Sequence, residues 1–217
     1  MIITVASYKG GVGKTTTAVH LAAYLQTLAP TLLLDGDQTR NATAWSQRGT
    51  SCGPGNGGFP FRVAATEQAA KLAREYNHIV IDTGQRPTSD DLKAAVDGCD
   101  LLVVPTVPAA LDTDGLGQIV RALQAINPNC FRVLLCGVPP DATAEVIELR
   151  ELLDENHAPV FTQEIPRLKA FKKAADQGCI VGQVDDKQAA RAQEAYDAVG
   201  DELWFLMRHD QIRRHSA

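Results

Sequence analysis

The octet Lys9-Gly10-Gly11-Val12-Gly13-Lys14-Thr15-Thr16 constrains the fold of this chain more than any other stretch. The β-branched run Ile2-Ile3-Thr4-Val5-Ala6 before it reads as a buried strand, and Ala18, Leu21, Ala22 and Leu25 after it share one face of a helix. A strand that runs through a glycine-rich turn into a helix N-terminus gathers several backbone N–H groups around one point, and the helix dipole adds to them. Such a junction is an anion cradle. Against the phosphate-loop pattern G-x-x-x-x-G-K-[ST], the octet keeps Gly13-Lys14-Thr15 but has Tyr8 at the first glycine position, with a second lysine, Lys9, just after it.

The rest of the chain repeats the strand–helix alternation. Further strands are expected at 31–35, 59–65, 78–82, 101–105 and 131–138, with a weaker one at 159–165. Helices are expected at 42–47, at 66–76 (Thr66 as cap, Glu67 in the first turn), and at 89–96, 114–126, 144–156, 168–177 and 187–207. Strands alternating with helices imply a doubly wound, mostly parallel sheet with helices on both faces, the three-layer α/β/α arrangement of P-loop NTPases. At 217 residues a single domain over 1–217 is expected, its C-terminal helices, about 168–209, packed on the sheet. The glycine-rich stretch 52–58 reads as a mobile surface loop.

Composition narrows the function. The five cysteines show no CxxC and no tight His/Cys grouping, which fits buried thiols in a reduced compartment and gives no support to an iron–sulfur or zinc site. No basic-then-apolar leader precedes the first strand, and no apolar run approaches a membrane span, so a cytoplasmic location is expected. The formal net charge of -5 argues against wholesale coating by nucleic acid while leaving room for a local basic patch.

Three aspartates end strands: Asp35, with Asp37 two residues on, and Asp82. Carboxylates at the C-terminal rim of a parallel sheet stand beside the phosphate loop, where they hold Mg²⁺ or orient an attacking water. An aspartate ending a strand is also an ordinary turn former; the phosphate loop upstream favours the chemical role.

The spacing Lys-Gly-Gly-x-Gly-Lys-Thr-Thr resembles the deviant Walker A motif of the ParA/MinD family of ATPases. Asp35-Gly36-Asp37-Gln38-Thr39-Arg40-Asn41-Ala42-Thr43 is similar to that family's switch I pattern D-x-D-P-Q-x-N-A-T, with Gln38-Thr39 where the family has Pro-Gln. Ile79-Val80-Ile81-Asp82-Thr83 resembles Walker B, with Gly84-Gln85-Arg86-Pro87 where the family often has Pro-Pro. Val104-Pro105-Thr106-Val107-Pro108 and Ile165-Pro166-Arg167 resemble the family's P-V-x-P and I-P-R segments. The resemblance covers nearly the whole chain and is weakest past residue 140. The chain's brevity, with no helix-turn-helix before Lys9, resembles the small ParA subgroup.

What the resemblance implies is specific. ATP and Mg²⁺ would be the cofactors, with Gly10, Gly11, Val12, Gly13, Lys14, Thr15 and Thr16 forming the cradle. Lys14 would pair with the β- and γ-phosphates, Thr15, Asp37 and Asp82 would serve the metal, and Asp37 would also orient water. Lys9 would reach the nucleotide of the opposite subunit in an ATP-dependent homodimer, and Pro166 and Arg167 would lie at or near the adenine. Hydrolysis would be slow until stimulated by a ParB-like adaptor with a basic segment. The output would be partitioning or positioning of a plasmid, chromosome region or protein assembly over the nucleoid.

Arg167, Lys169, Lys172 and Lys173 form a late basic cluster, and 169, 172 and 173 share a helix face. Doubled in a dimer, that face would bind DNA phosphates without sequence preference; the alternative is a plain solvated face. Two other functions remain open: a MinD-like membrane-cycling regulator and a metabolic P-loop ligase or kinase. A membrane is disfavoured, because Tyr196, Val199, Leu203 and Leu206 continue the face of a long helix suited to docking on the sheet, and Glu194, Asp197, Asp201 and Glu202 repel anionic lipid.

Overall fold

Seven parallel strands form the centre of the computed structural model, which describes residues 1–7, 9–50, 58–85, 87–108, 113–141 and 143–215. They are β1 (Ile2–Ser7), β2 (Thr31–Asp35), β3 (Arg62–Ala65), β4 (His78–Gln85), β5 (Leu101–Thr106), β6 (Phe131–Val138) and β7 (Ile165–Pro166), in the order β3-β2-β4-β1-β5-β6-β7. The helices are α1 (Lys14–Leu28), α2 (Asn41–Thr50), α3 (Ala69–Leu72), α4 (Ser89–Asp97), α5 (Thr113–Ile126), α6 (Ala144–Glu155), α7 (Lys169–Gln177) and α8 (Ala189–His215). The chain leaves β1 toward β2 and β3, then returns through β4 and crosses to β5, so the order reverses beside β1. A crevice at the carboxyl ends of the strands is where such a sheet binds ligands.

The strands read as unbroken apolar runs because both faces are covered. On one face Ile3, Val5, Leu33, Val80, Val103 and Leu134 pack against α1, α2, α7 and α8. On the other, Leu102, Val104, Val133 and Leu135 meet Leu92, Leu123 and Leu149 of α4, α5 and α6, while Leu32, Leu34 and Ile79 meet Leu72 of α3. The one-face pattern expected for α1 is too narrow. Every residue from Ala18 to Leu25 is buried, because α8 lies over the side turned away from the sheet. The helices approach closely there: a Cβ on Gly200 of α8 would stand 2.3 Å from the Tyr24 ring, and the Tyr24 hydroxyl donates to Asp201 at 2.6 Å.

Four segments depart from expectation. Residues 66–76 are not one helix but a 3₁₀ turn (Thr66–Gln68), the four-residue α3 and a second 3₁₀ turn (Ala73–Glu75). Thr66 makes no side-chain cap, and its methyl lies 3.2 Å from where a Cβ on Gly36 would be. The strand expected at 59–65 begins only at Arg62, since Phe59 and Phe61 stack on each other at 4.9 Å and Phe59 packs on Trp45. The strand expected at 159–165 shrinks to Ile165–Pro166 and a single Val133–Val160 bridge. Between them the amides of Thr162 and Gln163 donate to the Glu202 carboxylate of α8, which removes them from the ladder. The last helix runs on to His215, with Ala192, Tyr196, Val199, Leu203 and Met207 buried and Leu206 partly so. Apart from Gly58, the loop expected at 52–58 lies outside the described residues. Among the described residues no helix is long and apolar enough to cross a membrane.

Candidate functional site

The loop between β1 and α1 builds the cradle. Gly11 and Gly13 hold φ of 78° and 95°, the left-handed region in which a side chain is strained. Gly13 caps α1, and this N-terminus has neither a side-chain cap nor an acidic residue in its first turn. Its first-turn amides and the helix dipole are therefore left to an external anion. Gly13 also sits against β6, a Cβ there standing 3.8 Å from that of Cys136. Lys14 is buried, only 6% exposed, whereas Lys9 is exposed, its carbonyl accepting from the Ser7 hydroxyl at 2.8 Å.

β2 and β4 are paired in register, which sets Asp35 opposite Asp82. The two fully buried carboxylates have different surroundings. Asp35 is saturated: one oxygen accepts from the Thr43 amide and hydroxyl at 2.8 and 2.7 Å, the other from the Asp37 amide at 3.2 Å. It fixes the start of α2 and the path of 36–37. Asp82 accepts from the Thr15 hydroxyl at 2.7 Å through Oδ2, while its buried Oδ1 has no hydrogen-bond partner among the described residues. Burial pushes the Asp82 carboxyl up to about 7, against the pull of Thr15 and the Lys14 charge, with Asp35 and Asp37 adding to the rise. A hydroxyl and a carboxylate with a spare buried oxygen fit Mg²⁺, which takes few protein ligands and keeps waters and phosphate oxygens.

Asp37 lies beside them, 4% exposed. Its Oδ1 accepts from the amide and hydroxyl of Thr39 at 2.8 and 2.7 Å. Burial raises the Asp37 carboxyl, but the two Thr39 bonds together with the Lys14 and Arg40 charges outweigh it and hold the group below its usual value. The replacement of Pro-Gln by Gln38-Thr39 thus has a structural consequence: Thr39 pins the carboxylate. Arg40 follows in the left-handed region, φ 52°, donating to the Asp35 carbonyl and pairing with Glu67 at 2.7 Å. Beyond Asp82, Thr83 donates to the Val5 carbonyl at 3.0 Å and so ties β4 to β1; Arg86 lies outside the described residues.

Pro166 and Arg167 line a cavity of about 520 Å³ with Val138, Leu168, Gln188 and Arg191, at the carboxyl ends of β6 and β7. Cys136, against which Gly13 rests, is two residues before Val138, so cavity and phosphate loop are neighbours along β6. The Arg167 Nε donates to the Gly137 carbonyl at 3.3 Å. The late basic cluster is smaller than expected from spacing. Lys173 donates to the Asp185 carbonyl and faces Asp186 at 3.9 Å, which leaves Lys169 and Lys172 as the exposed cations of α7.

The structure therefore brings Lys14, Thr15, Asp37 and Asp82 together and sets Pro166 and Arg167 apart in the adjoining cavity. Sequence reasoning missed Thr39 and Thr43, which orient the two switch aspartates. The Asp-x-Thr spacing of 37–39 carried a signal, being that of an Asx-type turn; the eight-residue reach from Asp35 to Thr43 carried none.

Residues 3–180 match the family profile described as the CobQ/CobB/MinD/ParA nucleotide binding domain. The chain is 36% identical over 205 residues to the "Maintenance of carboxysome distribution protein A" of Gloeobacter kilaueensis, covering 93% of each chain. Against the protein of the same name from Halothiobacillus neapolitanus it is 24% identical over 211 residues, 93% and 94% of the two chains. Among solved structures, an ATP complex of Cyanothece McdA superposes with a TM-score of 0.71 at 15% identity, over 93% of this chain and 95% of that one. The MinD cell division protein of Aquifex aeolicus gives 0.68 at 17% identity, over 94% and 96%. At those identities the superpositions speak for the fold alone.

Proposed function

Because this chain belongs to the CobQ/CobB/MinD/ParA nucleotide-binding family, as a ParA/MinD-type ATPase, we propose that it binds ATP and Mg²⁺, dimerises around two nucleotides, and positions a cargo by cycling on and off nonspecific DNA. The observation that carries the nucleotide reading is the Thr15–Asp82 pair beside the cradle, with its unpartnered buried oxygen. Mg²⁺ held by Thr15 and Asp82 would neutralise charge that develops on the β- and γ-phosphates. Lys14 and the loop amides grip those phosphates, and Asp37, kept ionised and pinned by Thr39, accepts a hydrogen bond from the attacking water. Lys9, which is exposed, would leave its own subunit and meet the partner's nucleotide. Pro166 and Arg167 contribute to the base site.

The cargo we favour is a protein assembly of the carboxysome kind, on the strength of the relative 36% identical over 93% of each chain. Lys169 and Lys172, with Arg167, supply the DNA contacts, doubled in the dimer, and the protein is cytoplasmic and nucleoid-associated. Among the described residues no side chain in the site is an evident built-in accelerator, so hydrolysis is slow until an adaptor protein of the ParB-like kind completes the site.

Oligomeric state and DNA binding, measured together without nucleotide, with ADP, with ATP, and with ATP on Lys9→Ala, test the reading. The expected result is a dimer and salt-sensitive, sequence-independent DNA binding with ATP alone, both lost in Lys9→Ala. A nucleotide-indifferent monomer that ignores DNA overturns it. ATP-dependent sedimentation with liposomes would instead favour a membrane-cycling regulator, and ADP production that requires a small-molecule substrate would favour a ligase or kinase.

A further inference from the structure

We propose that Tyr196 of α8 is a positioning residue for the phosphate loop, acting through Thr17 and His20 of α1; this rests on the nucleotide-binding reading above. Gly11 and Gly13 make the loop intrinsically soft, so its geometry has to be imposed by what it runs into. It runs into the first turn of α1, and that turn is held by two of its own polar groups. The Thr17 hydroxyl shares a hydrogen bond with the Tyr196 hydroxyl at 3.1 Å and lies 3.9 Å from the Cys136 sulfur. The Thr16 carbonyl is 2.8 Å from Nδ1 of His20, whose Nε2 accepts from the Val181 amide at 3.1 Å. That second bond leaves the proton on Nδ1, which donates it to Thr16.

Aromatic packing locks these two groups together. The Tyr196 ring stacks on His20 at 4.7 Å and 14°, Phe171 of α7 stands edge-on to both at 5.6 Å, and Trp45 of α2 meets His20 at 6.0 Å. Thr17, His20 and Tyr196 are all at most 1% exposed. Valine and phenylalanine would fill the same space without burying two hydroxyls, which are costly unless paired. The hydroxyl pair supplies direction, fixing the rotation of the turn whose amides face the phosphates. Binding that depends on aligned N–H groups weakens when those groups shift by a fraction of an ångström.

The test uses the full chain and Mg·ADP as ligand, with Tyr196→Phe, Thr17→Val, the double variant, and Lys14→Ala as a non-binding control. Calorimetry gives Kd, thermal unfolding without nucleotide gives Tm, and steady-state ATP hydrolysis separates KM from kcat. Tyr196→Phe is expected to raise Kd and KM about 5-fold, the effect of one net hydrogen bond, with kcat within about twofold. Thr17→Val should match it, and the double variant should be no worse than either single one, because both remove the same bond. A fall in Tm with unchanged Kd and KM would make the pair a packing feature and overturn the proposal, as would additive losses in the double variant. Wild-type protein that binds no Mg·ADP would overturn the nucleotide-binding reading itself, an outcome visible before any variant is made.

Discussion

His20 shows what a single residue's burial commits the molecule to. With both ring nitrogens engaged and almost no exposure, burial lowers its pKa from 6.5 to about 4, against the bond to Thr16 that raises it. A histidine depressed in the folded state is neutral there, while the unfolded chain takes up a proton below about 6.5, so this stability is present above that pH and drains away on the way down to about 4. Between pH 7 and 5 the loss should be about 2 kcal/mol. Urea unfolding at the two pH values checks it: His20→Gln should lose that part of the pH dependence, and an identical dependence in wild type and variant would contradict it. The aspartates teach the complementary lesson. Asp35 and Asp82 both close apolar runs and look alike in sequence, although β4 continues past Asp82 to Gln85, yet one has both oxygens bonded and the other, among the described residues, has a spare one. The difference arises from Thr43 and Thr15, and the Thr15–Asp82 pair spans 67 positions of sequence, beyond the reach of any local pattern.

Among the elements, α2 is attached more tightly than its modest sequence signal suggests. Arg48 donates to the Ala175 carbonyl at 2.7 Å and Trp45 to that of Cys179 at 3.1 Å. Where α2 meets the end of α7, a Cβ on Gly49 would stand 2.1 Å from the Gly178 carbonyl oxygen, which is backbone and cannot rotate aside. Gly49→Ala should therefore cost at least about 3 kcal/mol, the upper part of the overpacking range, read as a fall in the denaturant midpoint. A loss within about 0.5 kcal/mol would show that the two helices part easily. β2 and β6, which bury long apolar runs, were legible almost to the residue because local pattern and final burial coincide there, and so was α4, whose start is set by the Thr88–Asp91 capping box. The weak strand before Ile165 and the helix at 66–76 were not. Glu202, some forty positions away, takes the amides of the first, and only Leu72 of the second is buried deeply enough to favour a regular helix.

For the whole molecule, ligand and stability are linked. If Mg·ATP binds the folded chain alone, a concentration about 100 times Kd adds about 2.7 kcal/mol. In a chain of 217 residues that amounts to a rise in Tm of roughly 5–10 °C. Lys14→Ala should abolish the rise, measured against the variant's own unliganded Tm, and an equal rise in both proteins would show that nucleotide is bound elsewhere. The overall plan was legible in the alternation of strands and helices. The cavity we propose for the base was legible only as the dipeptide Pro166-Arg167, because its far wall comes from Gln188 and Arg191, in a region that carries no motif of its own. The outermost strands have a further consequence. β3 is four residues long and opens on exposed Arg62, and β7 is two residues long and ends on Pro166, which has no N–H to offer. Short, charged or proline-ended borders give a foreign strand almost nothing to zip onto. The sheet is thereby protected from growing sideways into fibrils, even at the high local concentrations that crowding on a shared scaffold would bring.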